Sequence, residues 1–355
     1  MPIPWSESIY RITIGGTDIS KRVAPYLMKV EVSDKEGTTS DTASIELDDG
    51  VGGRIVLPTK GTPVEVWLGS SGRGVVQRFV GSVDTVRWRL DRGGGCRLEI
   101  HAKGLDTSSD AKSPKHKHWD DKKLGDVLGD AAKAAGLKGV KVHESLASIQ
   151  RPYWSQDDES FVAFASRLAR ENGATFKVVG GTAVFVPRSG GVSASGKPLI
   201  TITAKRGDNL ISAEMAPDTG RPRYKKIVGR HYDRKAAKWV ETEIEVETGG
   251  DSTVKARQSL TYPRASKEDA ERAAKAEGTE SEREKGGGTV EIDGNPNAVA
   301  EATCVLSGCR PGIDGSYKIE SVTDTLDRQN GYKTRLDLVL PDASVGKDSR
   351  KGKKS

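Results

Sequence analysis

The tightest constraint on this chain is that a stretch near its start comes back near its end. Asp84-Thr85 matches Asp324-Thr325, Asp91-Arg92 followed by glycines matches Asp327-Arg328 followed by Asn330-Gly331, and Arg97-Leu98-Glu99-Ile100 matches Arg335-Leu336-Asp337-Leu338. The step from Asp-Thr to Arg-Leu is 13 residues in the first stretch and 11 in the second. A difference of two fits a shortened hairpin loop, because side chains alternate with period two and an even change keeps each on its own face. Leu98, Ile100 and Ala102 stay in phase with Leu336, Leu338 and Leu340. Upstream, Val66-Trp67-Leu68-Gly69 resembles Val305-Leu306-Ser307-Gly308. The reading is one β unit used twice.

The 355 residues suit two or three domains of ordinary size. Only 35% are hydrophobic and 5% aromatic, a lean supply that predicts thin β units burying part of their surface against other subunits. No apolar run approaches the length of a membrane span, and Met1 to Trp5 lacks the features of a signal peptide. Three cysteines, Cys96, Cys304 and Cys309, cannot make an intramolecular disulfide framework, which fits synthesis in the cytoplasm. The net charge of +6 comes partly from a basic tail, residues 346–355, expected to be disordered.

From Tyr10 to Ala102, short alternating runs with glycine turns predict an antiparallel barrel or sandwich. The run Leu27, Val30, Val32 does not alternate cleanly. Asp106 to Asp121, with Lys115-His-Lys-His118, reads as a connecting loop. Leu124 to Leu137 reads as an amphipathic helix, and a second runs from about Asp157 to Asn172, with Ser155 or Asp157 as cap and Gly173 at its end. Phe176–Val178 and Ala183–Val186 form a hairpin, and Ser189 to Gly196 a linker. Strands resume at Leu199, Ile211, Tyr224 and Trp239. A charged, alanine-lined helix starts after Ser266 and runs to about Lys285. The expected layout is a first barrel over 1–108, an inserted α/β domain with linker over 109–197, a second barrel with helix over 198–345, and the tail over 346–355. The fold class is mainly β with an α+β insertion.

The run Arg151-Pro-Tyr-Trp-Ser-Gln-Asp-Asp-Glu-Ser-Phe-Val-Ala-Phe-Ala-Ser-Arg-Leu-Ala-Arg-Glu-Asn-Gly173 resembles a segment of the phage late control gene D proteins. So does the ending with Gly308, Gly312 and Gly315-Ser-Tyr-Lys-Ile-Glu-Ser-Val322, then Asn330-Gly-Tyr-Lys-Thr-Arg-Leu336. These are baseplate hub proteins of contractile phage tails, similar to the hub half of type VI secretion spike proteins. The resemblance implies two tube-protein-like barrels per chain and a homotrimer whose six barrels form a ring. It implies as partners the tail tube protein, a separate spike protein, and baseplate wedge and tape-measure proteins. DNA would meet the protein only in transit through the channel. Placement in the virion tail baseplate follows, with assembly in the host cytoplasm.

His116 and His118 read as solvated loop residues, and Cys304 with Cys309 lack a second pair for zinc. Gly69 to Gly74 reads as a hairpin turn. Asp157, Asp158 and Glu159 are explained by capping and the helix dipole; the alternative makes them the acid/base set of a peptidoglycan hydrolase. Tyr153 and Trp154 are expected to pack inside the insertion. A third, nucleic-acid-binding reading would rest on the basic tail, which has no aromatic residues. No catalytic, cofactor or metal residues are expected. Cys309, in the turn Ser307 to Gly312 expected to be exposed, is the candidate for an interchain disulfide in an oxidising medium.

Overall fold

The computed structural model describes residues 7–36, 40–50, 52–53, 55–104, 110–188, 198–217, 224–233, 236–246, 255–283 and 286–341. The expected N-terminal segment, the Ser189 to Gly196 linker and the basic tail lie outside the described residues.

The first unit holds β1 (Ser8–Ile14), β2 (Thr17–Asp18), α1 (Ser20–Val23), β3 (Leu27–Lys35), β4 (Thr42–Gly50), β5 (Pro63–Ser70), β6 (Gly74–Asp91) and β7 (Gly95–Lys103). Alternation does the work: on β4, Ala43, Ile45 and Leu47 are buried while the residues between them are partly or fully open. The broken pattern of β3 is a bulge between Leu27 and Lys29, where its register with β4 shifts.

The insertion begins with a short 3-10 turn at Asp110–Lys112, then β8 (Pro114–Lys123), α2 (Leu124–Ala134), β9 (Gly139–Val142), α3 (Glu144–Ala147), β10 (Gln150–Ser160), α4 (Phe161–Glu171), β11 (Ala174–Val179) and β12 (Thr182–Pro187). Three expectations are corrected here. Lys115 to His118 lie in strand β8, paired with β10, and not in a loop. The second helix starts at Phe161, because the Ala163 amide donates to Ser160 Oγ at 3.1 Å; neither Ser155 nor Asp157 caps it. Asp157, Asp158 and Glu159 therefore sit on β10, where a register shift between Gln156 and Glu159 accompanies a positive φ of 51° at Asp158. The buried face of α2 is the expected one, with Leu124, Val127, Leu128 and Ala131 in a core shared with Phe161, Phe164 and Phe176.

The remaining elements are β13 (Ile202–Lys205), β14 (Leu210–Ala216), β15 (Lys226–Asp233), β16 (Lys238–Glu245), β17 (Arg257–Ser259), α5 (Lys267–Arg283), β18 (Gly287–Asp293), β19 (Thr303–Ser307), β20 (Gly315–Asp327) and β21 (Gly331–Val339). The strands after Tyr224 and Trp239, expected in the second barrel, instead form a separate sheet in the order β16-β15-β17. Helix α5 packs on this sheet, so closely that a Cβ at Gly229 would lie 2.7 Å from the Ala270 carbonyl oxygen. Its start follows expectation: the Asp269 amide donates to Ser266 Oγ at 3.2 Å.

The two units repeat the same strand order. The first runs β3-β4-β7-β6-β5-β1 and the second β14-β18-β21-β20-β19-β13. One pairing differs in direction: β1 is antiparallel to β5, whereas β13 is parallel to β19. In each unit, strands from both ends of the path contribute to one core, Ile12 with Val30 and Ile202 with partly buried Met215. Both hairpins close alike, Asp91 facing Gly95 and Asp327 facing Gly331, and both carry a bulge, between Val83 and Thr85 and between Ile319 and Ser321. Position 91 thus falls on position 327. The two loops are equally long, which corrects the inferred shortening. Asp84-Thr85 falls on Glu320-Ser321, and Arg97-Leu98 on Lys333-Thr334, so those two matches had slipped by four and two places. Val66 falls on Leu306, one place from its expected match.

Candidate assembly site at the seam of the two units

The second half of β20 pairs antiparallel with β3, from Ser321 opposite Lys35 to Asp327 opposite Lys29. This joins the units into one 13-stranded sheet. Leu326 and Tyr332, from the second unit, are buried in the core of the first. The seam also holds a buried ion pair. Arg78 on β6 donates through Nε to Asp324 Oδ2 at 2.6 Å, and Tyr332 and Thr334 hydroxyls donate to Oδ1 at 2.9 and 2.7 Å. The Asp324 side chain is 0% exposed. Burial pushes its carboxyl above the usual range, against the pull of Arg78 and the two hydroxyls. Desolvation of this kind is tolerated only where each lone pair finds a donor.

The insertion is tied to both units by further ions. Lys177 on β11 lies between Asp34, at the end of the seam, and Asp41, 2.6 Å away. Asp34 also accepts from the Ala300 amide of the second unit at 3.2 Å. Burial raises the Asp41 carboxyl to about 6, with Asp34 adding to the shift and Lys177 opposing it. Glu36 receives Arg283 of α5 at 2.8 and 2.5 Å, and Arg188 lies 2.8 Å from it. Burial raises Glu36 too, while Arg283 holds it back. Glu301, at a positive φ of 72°, accepts from Lys318 at 2.5 Å and from the Thr175 hydroxyl. First unit, second unit, insertion and α5 therefore meet over one set of buried, paired charges.

On the solvated face of the sheet, charges also cancel locally. Lys103 meets Asp84 at 2.7 Å, Arg97 meets Glu46 at 3.0 Å, Arg89 meets Glu99 at 3.2 Å and Lys333 meets Glu291 at 3.4 Å. Pairs this open contribute little to stability; they leave a polar wall of mixed sign.

The residues singled out for chemistry do not converge. Arg167 clamps Glu159 with two bonds of 2.8 Å. Asp157 and Asp158 are mostly exposed, the former 2.9 Å from His116 Nδ1. That contact supplies His116 with a carboxylate the sequence reading lacked, yet no group of three or more potential ligands that could hold a metal exists among the described residues. The cleft beside them is lined by Arg151, Arg167 and Arg264, all bound to Glu171 within 3.3 Å. Trp154 is buried, its indole N–H donating to the Lys122 carbonyl at 2.8 Å, whereas Tyr153 is 55% exposed and stacks on His118. Gly69 to Gly74 is a hairpin turn, as expected. Cys309 is half-buried against the second core, not fully exposed, and burial with Asp314 nearby raises its thiol pKa. Cys304 is fully buried and pushed up to about 12. The residues sequence reasoning missed are Arg78, Asp324, Glu36 and Arg283. Two signals existed: Asp324 interrupts the apolar face of its strand, and Arg283 ends a helix.

A duplicated β unit, fused through its own strand edge and braced by an ion-locked insertion, defines an assembly scaffold. The pattern of the phage tail baseplate hub (GPD) family matches residues 39–330, and the chain belongs to that family. A probable baseplate hub protein of Escherichia phage 186 is 31% identical over 199 residues, which is 56% of this chain and 50% of the relative. The chain therefore spans about half the length of that curated relative. The fold is shared with the 43 kDa tail protein of prophage MuSo2 from Shewanella oneidensis, at TM-score 0.72 and 16% identity, covering 95% of this chain and 99% of the other. It is shared more loosely with an Escherichia coli component of the type VI secretion system, at TM-score 0.58 and 11% identity, covering 97% and 79%.

Proposed function

We propose that the chain is a structural baseplate hub of a contractile phage tail, acting as a homotrimer. Three chains supply six copies of the unit, a pseudo-sixfold ring that joins a hexameric tail tube to a trimeric spike. The observation that carries this is the shared strand order of the two units, fused through the β20–β3 seam. A threefold assembly of a duplicated unit can match a sixfold partner while keeping true symmetry. The polar face of the sheet, with its cancelled charges, suits a channel wall past which tape-measure protein and DNA move without adhering. Wedge proteins would bind outside, and the setting is the tail baseplate, after assembly in the host cytoplasm. The division at 108, 197 and 345 into two barrels, an insertion and a tail belongs to this reading, with the β16-β15-β17 sheet and α5 carried beside the second barrel and not in its wall.

The reading includes no enzymatic step. Of the three carboxylates the hydrolase alternative would use, Glu159 is held by Arg167, Asp157 lies against His116, and both aspartates stand open to solvent. Cys309 remains the candidate for a disulfide to another chain. Within a threefold ring one thiol per chain cannot pair all its symmetry mates, so the other thiol would come from a different protein of the particle. Non-reducing electrophoresis of particles releasing the hub only as monomer would remove that idea. The central test is the mass in solution: three chains of 38.1 kDa each are expected, and any other closed number overturns the ring.

A further inference from the structure

The internal seam uses one edge of β20 and one edge of β3. The equivalent edges, on the second half of β6 and on β14, have no strand partner among the described residues. Beyond Val83, β6 pairs only with β7 among the described residues, and β14 pairs only with β18. We infer that these two edges join in trans, β6 of one chain pairing with β14 of a second copy, in the register that the internal seam already displays.

The register follows from matched irregularities. Hairpin closure and bulge place Asp91 on Asp327, hence Leu90 on Leu326, Arg89 on Thr325 and Trp88 on Asp324. The bulge of β3 between Leu27 and Lys29 matches that of β14 between Leu210 and Ser212, hence Ala213 on Val30, Glu214 on Glu31 and Met215 on Val32. In the internal seam Asp324 faces Val32, Thr325 faces Glu31 and Leu326 faces Val30. In trans, Trp88 then faces Met215, Arg89 faces Glu214 and Leu90 faces Ala213. Nothing in the derivation used side-chain chemistry, yet it sets a cation against an anion and apolar groups against one another.

Exposure agrees. Leu326 is 7% exposed and buried in the neighbouring unit, whereas Leu90 is 64% and Trp88 49% exposed, the latter with its indole N–H on Asp49, an apolar ridge on an edge with no strand partner among the described residues. Ile211, on β14, is 45% exposed. Each chain offers one edge of each kind, so three head-to-tail contacts close a ring with every such edge paired. The inference rests on the trimer proposed above and names the surface that makes it.

The test is disulfide trapping in a Cys309→Ser background. Facing residues of an antiparallel pair lie within the span a disulfide bridges. Arg89→Cys combined with Glu214→Cys is expected to yield covalent trimer on mild oxidation. Either substitution alone should yield none, and the slipped pair Arg87→Cys with Glu214→Cys far less. Arg89→Glu should weaken association about tenfold or more, and adding Glu214→Arg should restore it. A trimer by mass that fails to cross-link at 89 and 214, or cross-links equally at the slipped pair, overturns the register and leaves the ring standing. A chain that is monomeric or dimeric at all concentrations overturns the ring and the seam together.

Discussion

The β6–β7 and β20–β21 hairpins share loop length, bulge position and place in the strand order, and they live in opposite surroundings. The strand ends of the second are buried in a neighbouring unit, with Leu326 and Tyr332 in its core. The tip of the first stands open, with Trp88 and Leu90 on its surface. Equivalent backbones thus carry different chemistry. Where the second hairpin has Asp324 receiving Tyr332, Thr334 and Arg78, the first has Trp88, Cys96 and Leu98 at the positions of Asp324, Tyr332 and Thr334. A permanent seam within one chain tolerates a buried ion pair because both partners fold together. An edge that meets its partner later is better served by apolar groups and a rim charge pair, which need not be desolvated while they wait.

The largest effect that would break this contrast is at the ion pair. Arg78→Ala should cost about 3–5 kcal/mol in denaturant unfolding, because it strands the Asp324 carboxylate, while Arg78→Met with Asp324→Leu should cost clearly less. Equal losses in the single and double variants would mean the pair does not organise the seam. Next, Leu326→Ala should cost about 2–5 kcal/mol in the same measurement. The matching Leu90→Ala should stay within about 0.5 kcal/mol for the unassociated chain and show itself only in association, read by mass against concentration.

The third effect concerns the lock beside the seam. The Asp41 carboxyl, raised to about 6 mainly by burial, binds its proton in the folded chain at a pH where the unfolded chain has released it. Its contribution to stability is fully present below the unfolded value and is lost as pH rises through about 6. A shift of roughly two pH units corresponds to about 3 kcal/mol. Asp41→Asn should flatten that part of the stability profile between pH 4 and 6; an unchanged slope would show that Asp41 is not held as described. Smallest is the control away from both hairpins. Ser160→Ala removes the α4 cap and should cost about 1 kcal/mol in thermal unfolding, with no change in assembly mass.

The duplication was legible because Asp-Arg-x-x-Gly closes both hairpins, yet its alignment was not. Any even slip leaves the apolar face in phase, so alternation could not distinguish a true match at Asp91 from false ones at Asp84 and Arg97. Bulges decide it, and a bulge shows in sequence only as the uneven spacing of Leu27, Val30 and Val32. The α5 helix was readable from Ser266 and its alanines. Strand β8 was missed since, apart from Trp119, it carries polar side chains on both faces, and composition alone reads that as loop. The membership of β15 and β16 in their own sheet was invisible, for alternation says a strand exists and not which edge it joins. Of the site, Asp157, Asp158 and Glu159 drew attention and lead to no shared chemistry, while the Arg78–Asp324 pair, 246 residues apart, drew none.

Sequence by itself determined what neighbours within a few residues can enforce: alternating strands, glycine turns, the cap at Ser266, and the doubling of one hairpin. Tertiary structure alone decided which strand edges meet, where Glu36 finds Arg283 across 247 residues, and which of two like hairpins is buried. The reason is physical. Local torsions and hydrogen bonds are set by adjacent side chains, whereas an edge is satisfied by whichever distant strand the shared core brings alongside it.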